Sequence, residues 1–172
     1  LGCRDIVVLR GYAKYLRQTN APFSQKYMER ALGNNPQVAA ATLRLFHARF
    51  DPQNTARGRQ ARRLTQSIRA LLDKVESADE DRILRRFWNG IEATLRTNFF
   101  QTDADGNPKS YLSIKLDSGA VDELPLPRPM REIFVYSPRF EAIHLRGGLV
   151  ARGGLRWSDR PEDFRTEILG LM

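Results

Sequence analysis

The period of the hydrophobic pattern changes once along this chain, close to Asn98, and that change limits the folds open to it. Before it, apolar residues recur every three or four positions, as one face of an α-helix requires. After it they alternate, as in a strand with one buried face. Ile6, Leu9, Ala13 and Leu16 make a first helical stripe that stops before Asn20-Ala21-Pro22. Ser24 is placed to cap a short helix carrying Tyr27, Met28, Ala31 and Leu32 and closed by Gly33. Asn35-Pro36 opens a third, through Val38, Ala41, Leu45 and Arg49, until Asp51-Pro52 stops it. A fourth carries Leu64, Ile68, Leu71, Leu72 and Val75, with Arg57, Arg59, Arg62, Arg63 and Arg69 largely off that stripe. Ser77-Ala78-Asp79-Glu80 is a capping-box pattern before Ile83, Leu84, Phe87, Trp88, Ile91 and Leu95. The last two stripes are each wide enough to face a core. They are expected to pack on one another across the Ser77 turn and to leave Arg59, Arg62, Arg63 and Arg69 outward.

Past Asn98, residues 111–116, 132–136 and 140–145 alternate as strands. Asp103-Ala104-Asp105-Gly106-Asn107-Pro108 precedes the first as a turn, and Pro125, Pro127 and Pro129 stiffen the link to the second. From Glu162 the pattern is helical again. The expected fold is therefore α+β: an antiparallel helical bundle over residues 1–98, then the start of an α/β domain of sheet and helix over residues 99–172. The chain begins at Leu1 rather than Met, and its last residues form an apolar-rich helical pattern with no stop signal. These edges suggest a piece of a longer polypeptide cut inside a helix.

Composition removes several function classes. No apolar run approaches the ~20 residues that span a bilayer, and the lone Cys3 has no internal disulfide partner, so a cytoplasmic protein without a membrane role is expected. Charge is uneven: residues 1–98 hold 18 Lys/Arg against 9 Asp/Glu, and residues 99–172 hold 10 against 11. The arginines of the fourth helix have no aromatic residues interleaved with them and no nucleic-acid-binding motif beside them, which disfavours nucleic acid and leaves a solvated face or an acidic intramolecular partner. The Asp103 turn lacks the glutamate that closes a calcium loop. His47 and His144 have no second histidine or cysteine at ligand spacing, so no metal site is expected. No phosphate-binding loop, nucleophile elbow or Gly-x-Gly-x-x-Gly fingerprint occurs.

The densest chemistry is the tandem Leu145-Arg146-Gly147-Gly148-Leu149 and Ala151-Arg152-Gly153-Gly154-Leu155-Arg156-Trp157. Paired glycines free the backbone for positive φ and close approach to a bound group, and a flanking arginine offers a planar fork for a carboxylate. Two blander uses compete: a structural glycine turn, and the low-complexity Arg-Gly-Gly repeats that bind RNA.

Residues 132–138 (Glu-Ile-Phe-Val-Tyr-Ser-Pro), 143–148 (Ile-His-Leu-Arg-Gly-Gly) and above all 150–167 resemble the large bacterial NAD-specific glutamate dehydrogenases. The likeness is nearly continuous from Tyr111 to Met172. It implies that residues 99–172 begin a glutamate-binding domain, and that the parent oxidises L-glutamate to 2-oxoglutarate with NAD, as a homo-oligomer. Smaller glutamate dehydrogenases carry Lys-Gly-Gly-Ile-Arg at this strand-to-helix segment, and their lysine holds a substrate carboxylate. Arg152 stands at that lysine position here, Gly153 and Gly154 at the glycines and Arg156 at the arginine, so these four residues are the expected substrate site. The same resemblance places the catalytic lysine, its partner aspartate and the NAD-binding domain beyond Met172, with no catalytic or cofactor residue in this segment. A basic, non-catalytic helical interaction module stays open as the alternative.

Overall fold

The computed structural model describes residues 2–157 and 164–172. Five helices lead: α1 (Cys3–Arg17), α2 (Gln25–Asn34), α3 (Pro36–Phe50), α4 (Arg57–Leu72) and α5 (Ala78–Ala93). Five strands follow: β1 (Thr94–Thr97), β2 (Leu112–Asp117), β3 (Arg131–Tyr136), β4 (Glu141–Gly147) and β5 (Val150–Arg156), and a short α6 (Phe164–Leu169) comes after them. The strands form one sheet in chain order, each antiparallel to its neighbour, so short connections suffice throughout. The α+β expectation matches this architecture.

Local chemistry explains the helix ends. Ser24 Oγ accepts from the Tyr27 amide at 3.2 Å, and Ser77 Oγ accepts from the Glu80 amide at 3.4 Å. The capping box is only half made, however. The Glu80 carboxylate turns away from the Ser77 backbone and accepts 2.7 Å bonds from Asn34 and Asn35, tying α5 to the corner between α2 and α3. Gly33 does not close α2, which continues to Asn34.

The helix-to-strand switch comes earlier than the hydrophobic period suggested. Helix α5 stops at Ala93, and Leu95, which fits the helical stripe by spacing, lies in β1 and is half exposed. Thr94 anchors the junction, with its hydroxyl donating to the Gly90 carbonyl at 2.7 Å and meeting the buried Tyr12 hydroxyl at 2.7 Å. Asn98 then stitches the strands: its side-chain oxygen accepts from the Ser113 amide and its NH2 donates to the Tyr111 carbonyl.

The core runs without a break from Val8 of α1 to Ile168 of α6. One sheet face supplies Leu112, Ile114 and Leu116, then Glu132, Phe134 and Tyr136, then Glu141, Ile143 and Leu145, all buried. Helix α1 lies on that face. Gly11 allows it to sit close, since a Cβ there would stand 2.6 Å from Leu112 Cδ2, and Tyr15 packs its ring 5.7 Å from that of Phe134. The actual inner stripe of α1 is Val8, Leu9, Tyr12, Ala13, Tyr15 and Leu16, whereas Ile6 is half exposed.

Helix α4 lies chiefly along α3, and only lightly against α5. The packing of the fourth and fifth helices on one another across Ser77 is therefore replaced by an α3–α4 pair, with Ile68 and Leu72 buried. Arg59, Arg62 and Arg63 are exposed, as the stripe implied. Arg69 is not simply solvated: its guanidinium lies 5.5 Å over the ring of Trp88, which is only half-buried. None of the described helices is long and apolar enough to cross a membrane.

Phe87, which is fully buried, is the residue of α5 whose loss should cost most. Phe87→Ala is expected to lower stability by about 3–5 kcal/mol, and Arg63→Ala by under about 1 kcal/mol. Denaturant titration of both variants checks the order, which would be reversed if α4 faced the core through its arginines.

Candidate functional site

The tandem glycine motif folds as the β4–β5 hairpin. Gly147 pairs with Val150, so the loop is the two residues Gly148 and Leu149. Gly148 has φ +61°, the left-handed conformation that a tight two-residue hairpin requires of its first turn position and that costs an L side chain energy. The first Arg-Gly-Gly is thus a turn, and Leu149 at its tip is fully exposed.

The second Arg-Gly-Gly is not a turn at all. Arg152, Gly153 and Gly154 lie within β5, paired with Leu145, His144 and Ile143 of β4, and neither glycine has a positive φ. Expected freedom for positive φ is therefore used only at Gly148 of these four glycines. What Gly154 supplies is space: a Cβ there would stand 2.7 Å from Ile168 Cδ1 and 2.9 Å from Phe164 Cζ. Helix α6 takes the room that a side chain would fill.

Strand alternation puts Arg152, Gly154 and Arg156 on one face, opposite the inward residues Leu145, Ile143 and Glu141. The two arginines have different fates there. Arg156 is nearly buried, donates to Glu141 Oε2 at 2.9 Å and lies 5.2 Å over the ring of Phe164. Glu141 is also buried and takes the Lys14 ammonium of α1 at 3.4 Å on its other oxygen. Arg156 therefore cannot leave for a ligand without taking from a buried carboxylate one of its two cations. Arg152 is exposed, donates to the Ala151 carbonyl at 2.9 Å, and has no carboxylate within ion-pair distance among the described residues. The four expected site residues thus lie on one strand, but they do not form a two-arginine clamp.

A second buried ionic group was not foreseen. Glu132 of β3 and Arg165 of α6 are about 1% and 0% exposed and meet through two bonds, Nε to Oε2 at 2.9 Å and Nη2 to Oε1 at 2.6 Å. Tyr15 of α1 donates its hydroxyl to Glu132 Oε2 at 3.3 Å, and Gln18 accepts from the Arg165 amide at 3.1 Å. Burial, and then the Glu132 carboxylate beside it, push the Tyr15 phenol well above its ordinary value, so it remains the donor. The signal was present: Glu132 and Glu141 sit on the same alternation as Phe134 and Ile143, which places carboxylates on an inward register. The Asp103 turn uses its carboxylate on the Asp105 and Asn107 amides. Residues 158–163, part of the run that carries the resemblance and of the helical pattern from Glu162, lie outside the described residues.

Comparison with known proteins bears on the chain as a whole. Residues 67–172 match the model of the bacterial NAD-glutamate dehydrogenase catalytic domain, and residues 1–52 match glutamate dehydrogenase helical motif 3. The chain is 52% identical over 173 residues to the NAD-specific glutamate dehydrogenase of Pseudomonas aeruginosa, covering 98% of this chain and 11% of that protein. Identity is 51% over 172 residues with the Mycobacterium tuberculosis protein of the same name, covering 98% and 11%. It is 48% over 172 residues with that of Halomonas elongata, covering 100% and 11%. The chain thus spans about a tenth of the length of these relatives.

Gly154→Ala is expected to force α6 away from β5 and to cost about 1–3 kcal/mol. Amide hydrogen exchange would show it as lost protection in α6 while α2 and α3 stay protected; unchanged protection in α6 would contradict this packing.

Proposed function

The chain belongs to the bacterial NAD-glutamate dehydrogenase family, and from that premise we propose that it forms a substrate-side wall of an enzyme oxidising L-glutamate. The reaction takes L-glutamate, NAD and water to 2-oxoglutarate, ammonium and NADH. The observation that carries the assignment is Arg152: an exposed guanidinium with no acidic partner among the described residues, on a strand held in register along its whole length. A planar guanidinium can hold a carboxylate through two parallel hydrogen bonds, and a strand is a more rigid mount for it than a loop.

Each neighbour has a separate task in this reading. Gly153 and Gly154 keep the strand bare of side chains beside Arg152, with Gly154 yielding its space to α6. Arg156, locked to Glu141, shapes the strand end and does not grip substrate. The chain's own contribution is to bind and orient a carboxylate.

NAD supplies the hydride acceptor when bound, but the residues here do not fit it. A dinucleotide site needs a glycine-rich turn between a parallel strand and a helix N-terminus, whereas the Gly147-Gly148 turn joins two antiparallel strands. In this reading the NAD site belongs to another part of the enzyme, and the resemblance implies the same of the catalytic lysine and its partner aspartate. The match of residues 67–172 to a catalytic domain favours this over a purely non-catalytic interaction module.

In the full-length enzyme, Arg152→Ala should lower kcat/KM for glutamate by roughly 30- to 1000-fold, the worth of a lost charge-assisted pair of about 2–4 kcal/mol. NAD binding should be nearly unchanged. Steady-state kinetics with each substrate varied in turn decide it, and unaltered glutamate kinetics would remove Arg152 from the site. Calorimetric titration of NAD into the isolated 172-residue chain should show no saturable binding in the micromolar range.

A further inference from the structure

We propose that the buried Glu132–Arg165 pair, with Tyr15 of α1 and its C-cap residue Gln18, is a positioning device that sets the substrate strand β5 for its carboxylate ligand. The proposal rests on the reading of Arg152 as the carboxylate-binding residue. Three elements meet at this pair: β3 through Glu132, α6 through Arg165, and α1 through the Tyr15 hydroxyl and the Gln18 carbonyl oxygen. Each contact is directional, so together they place α6 in more than one dimension.

The placement reaches the substrate strand without passing through solvent. Phe164 precedes Arg165, and Ile168 lies one turn on; both press against the bare backbone of Gly154. Phe164 also carries the Arg156 guanidinium over its ring, and Arg156 is held by Glu141, which takes Lys14. Helix α1 and its C-cap thus reach β5 by two routes that begin at neighbouring residues: the ion pairs of Lys14 through Glu141 to Arg156, and the hydrogen bonds of Tyr15 and Gln18 to the Glu132–Arg165 pair, continued by the packing of α6 on Gly154. Arg152 stands two residues from Gly154 on the same strand face. A shift in α6 is therefore a shift in the strand that mounts Arg152.

Stability alone is a weak reason for such a pair. Burying two charges is costly, and well-packed apolar residues of similar volume often serve a core as well or better. What the forked pair adds is a fixed geometry: the planar guanidinium meets both carboxylate oxygens and so sets distance and rotation together. Apolar packing tolerates sliding that this contact does not.

The test uses the full-length enzyme with four variants: Glu132→Gln, which keeps shape and loses charge; Arg165→Lys, which loses the fork; Tyr15→Phe, which removes only one hydroxyl; and Arg152→Ala as reference. Glutamate and NAD are each varied at saturation of the other, and folding is followed by thermal melts. Expected is a glutamate KM raised roughly tenfold or more in Glu132→Gln and in Arg165→Lys, and about two- to fivefold in Tyr15→Phe, with the NAD KM within about twofold of wild type. A merely structural role would reduce the folded fraction without moving the glutamate KM, so folded variants with wild-type glutamate KM overturn the proposal. Should Glu132→Gln and Arg165→Lys fail to fold, Tyr15→Phe decides by the same criterion. A raised glutamate KM in Arg152→Ala with none in the folded variants overturns the positioning role alone. An unchanged glutamate KM in Arg152→Ala overturns the substrate-strand reading and the positioning role with it.

Discussion

An antiparallel strand allows no choice about which residues face inward, and in this sheet that constraint falls on two glutamates. The register of β3 against β2 and β4 puts Glu132 on the same face as Phe134 and Tyr136, and that of β4 puts Glu141 with Ile143 and Leu145. A buried carboxylate left without a partner costs several kcal/mol, and removing one member of a buried ion pair typically costs about 3–5 kcal/mol. The fold meets this demand from two directions. Helix α1 and its C-cap bring Lys14, Tyr15 and Gln18 down on the face, and the end of β5 and helix α6 bring Arg156 and Arg165. The helical and sheet parts of the chain are tied by these charges as much as by their shared apolar core.

Glycine serves the same end. Gly11 lets α1 approach the sheet, and Gly154 lets α6 lie against β5, each where a Cβ would meet a side chain at 2.7 Å or less. Strand β5 is consequently covered by α6 at Gly154, while Arg152, two residues earlier on the same face, stays exposed. In the proposed reading the Arg-Gly-Gly-Leu-Arg segment has a division of labour: one arginine for a ligand, one committed to the scaffold, and glycine between them making room for a helix.

Much of this was legible in the sequence. The four-residue spacing of Ile83, Phe87 and Ile91 and the alternation of Leu112, Ile114 and Leu116 named elements that the structure contains, because both patterns report a single buried face. The Ser24 and Ser77 caps were legible for the same local reason. Three things were not. Leu95 continues the helical spacing, but Thr94 ends the helix with a side-chain bond to the Gly90 carbonyl, which spacing does not register. Which helix α4 faces depends on tertiary packing, since its stripe fits either neighbour. The packing role of Gly154 was not legible, because glycine is ambiguous alone: it marks positive φ at Gly148 and close approach at Gly154, and only the neighbours decide which. Glu132 and Glu141 were visible on the inward alternation and could have been flagged as needing cations; their partners lie 33 and 15 residues downstream, with no local signal to name them.

The division between a free Arg152 and a committed Arg156 is the central claim, and a structure of the full-length enzyme with 2-oxoglutarate or glutamate bound tests it most directly. The account predicts a substrate carboxylate within hydrogen-bond distance of the Arg152 guanidinium, with Arg156 still paired to Glu141. A substrate carboxylate held by Arg156 after it has left Glu141, with Arg152 in solvent, would contradict it.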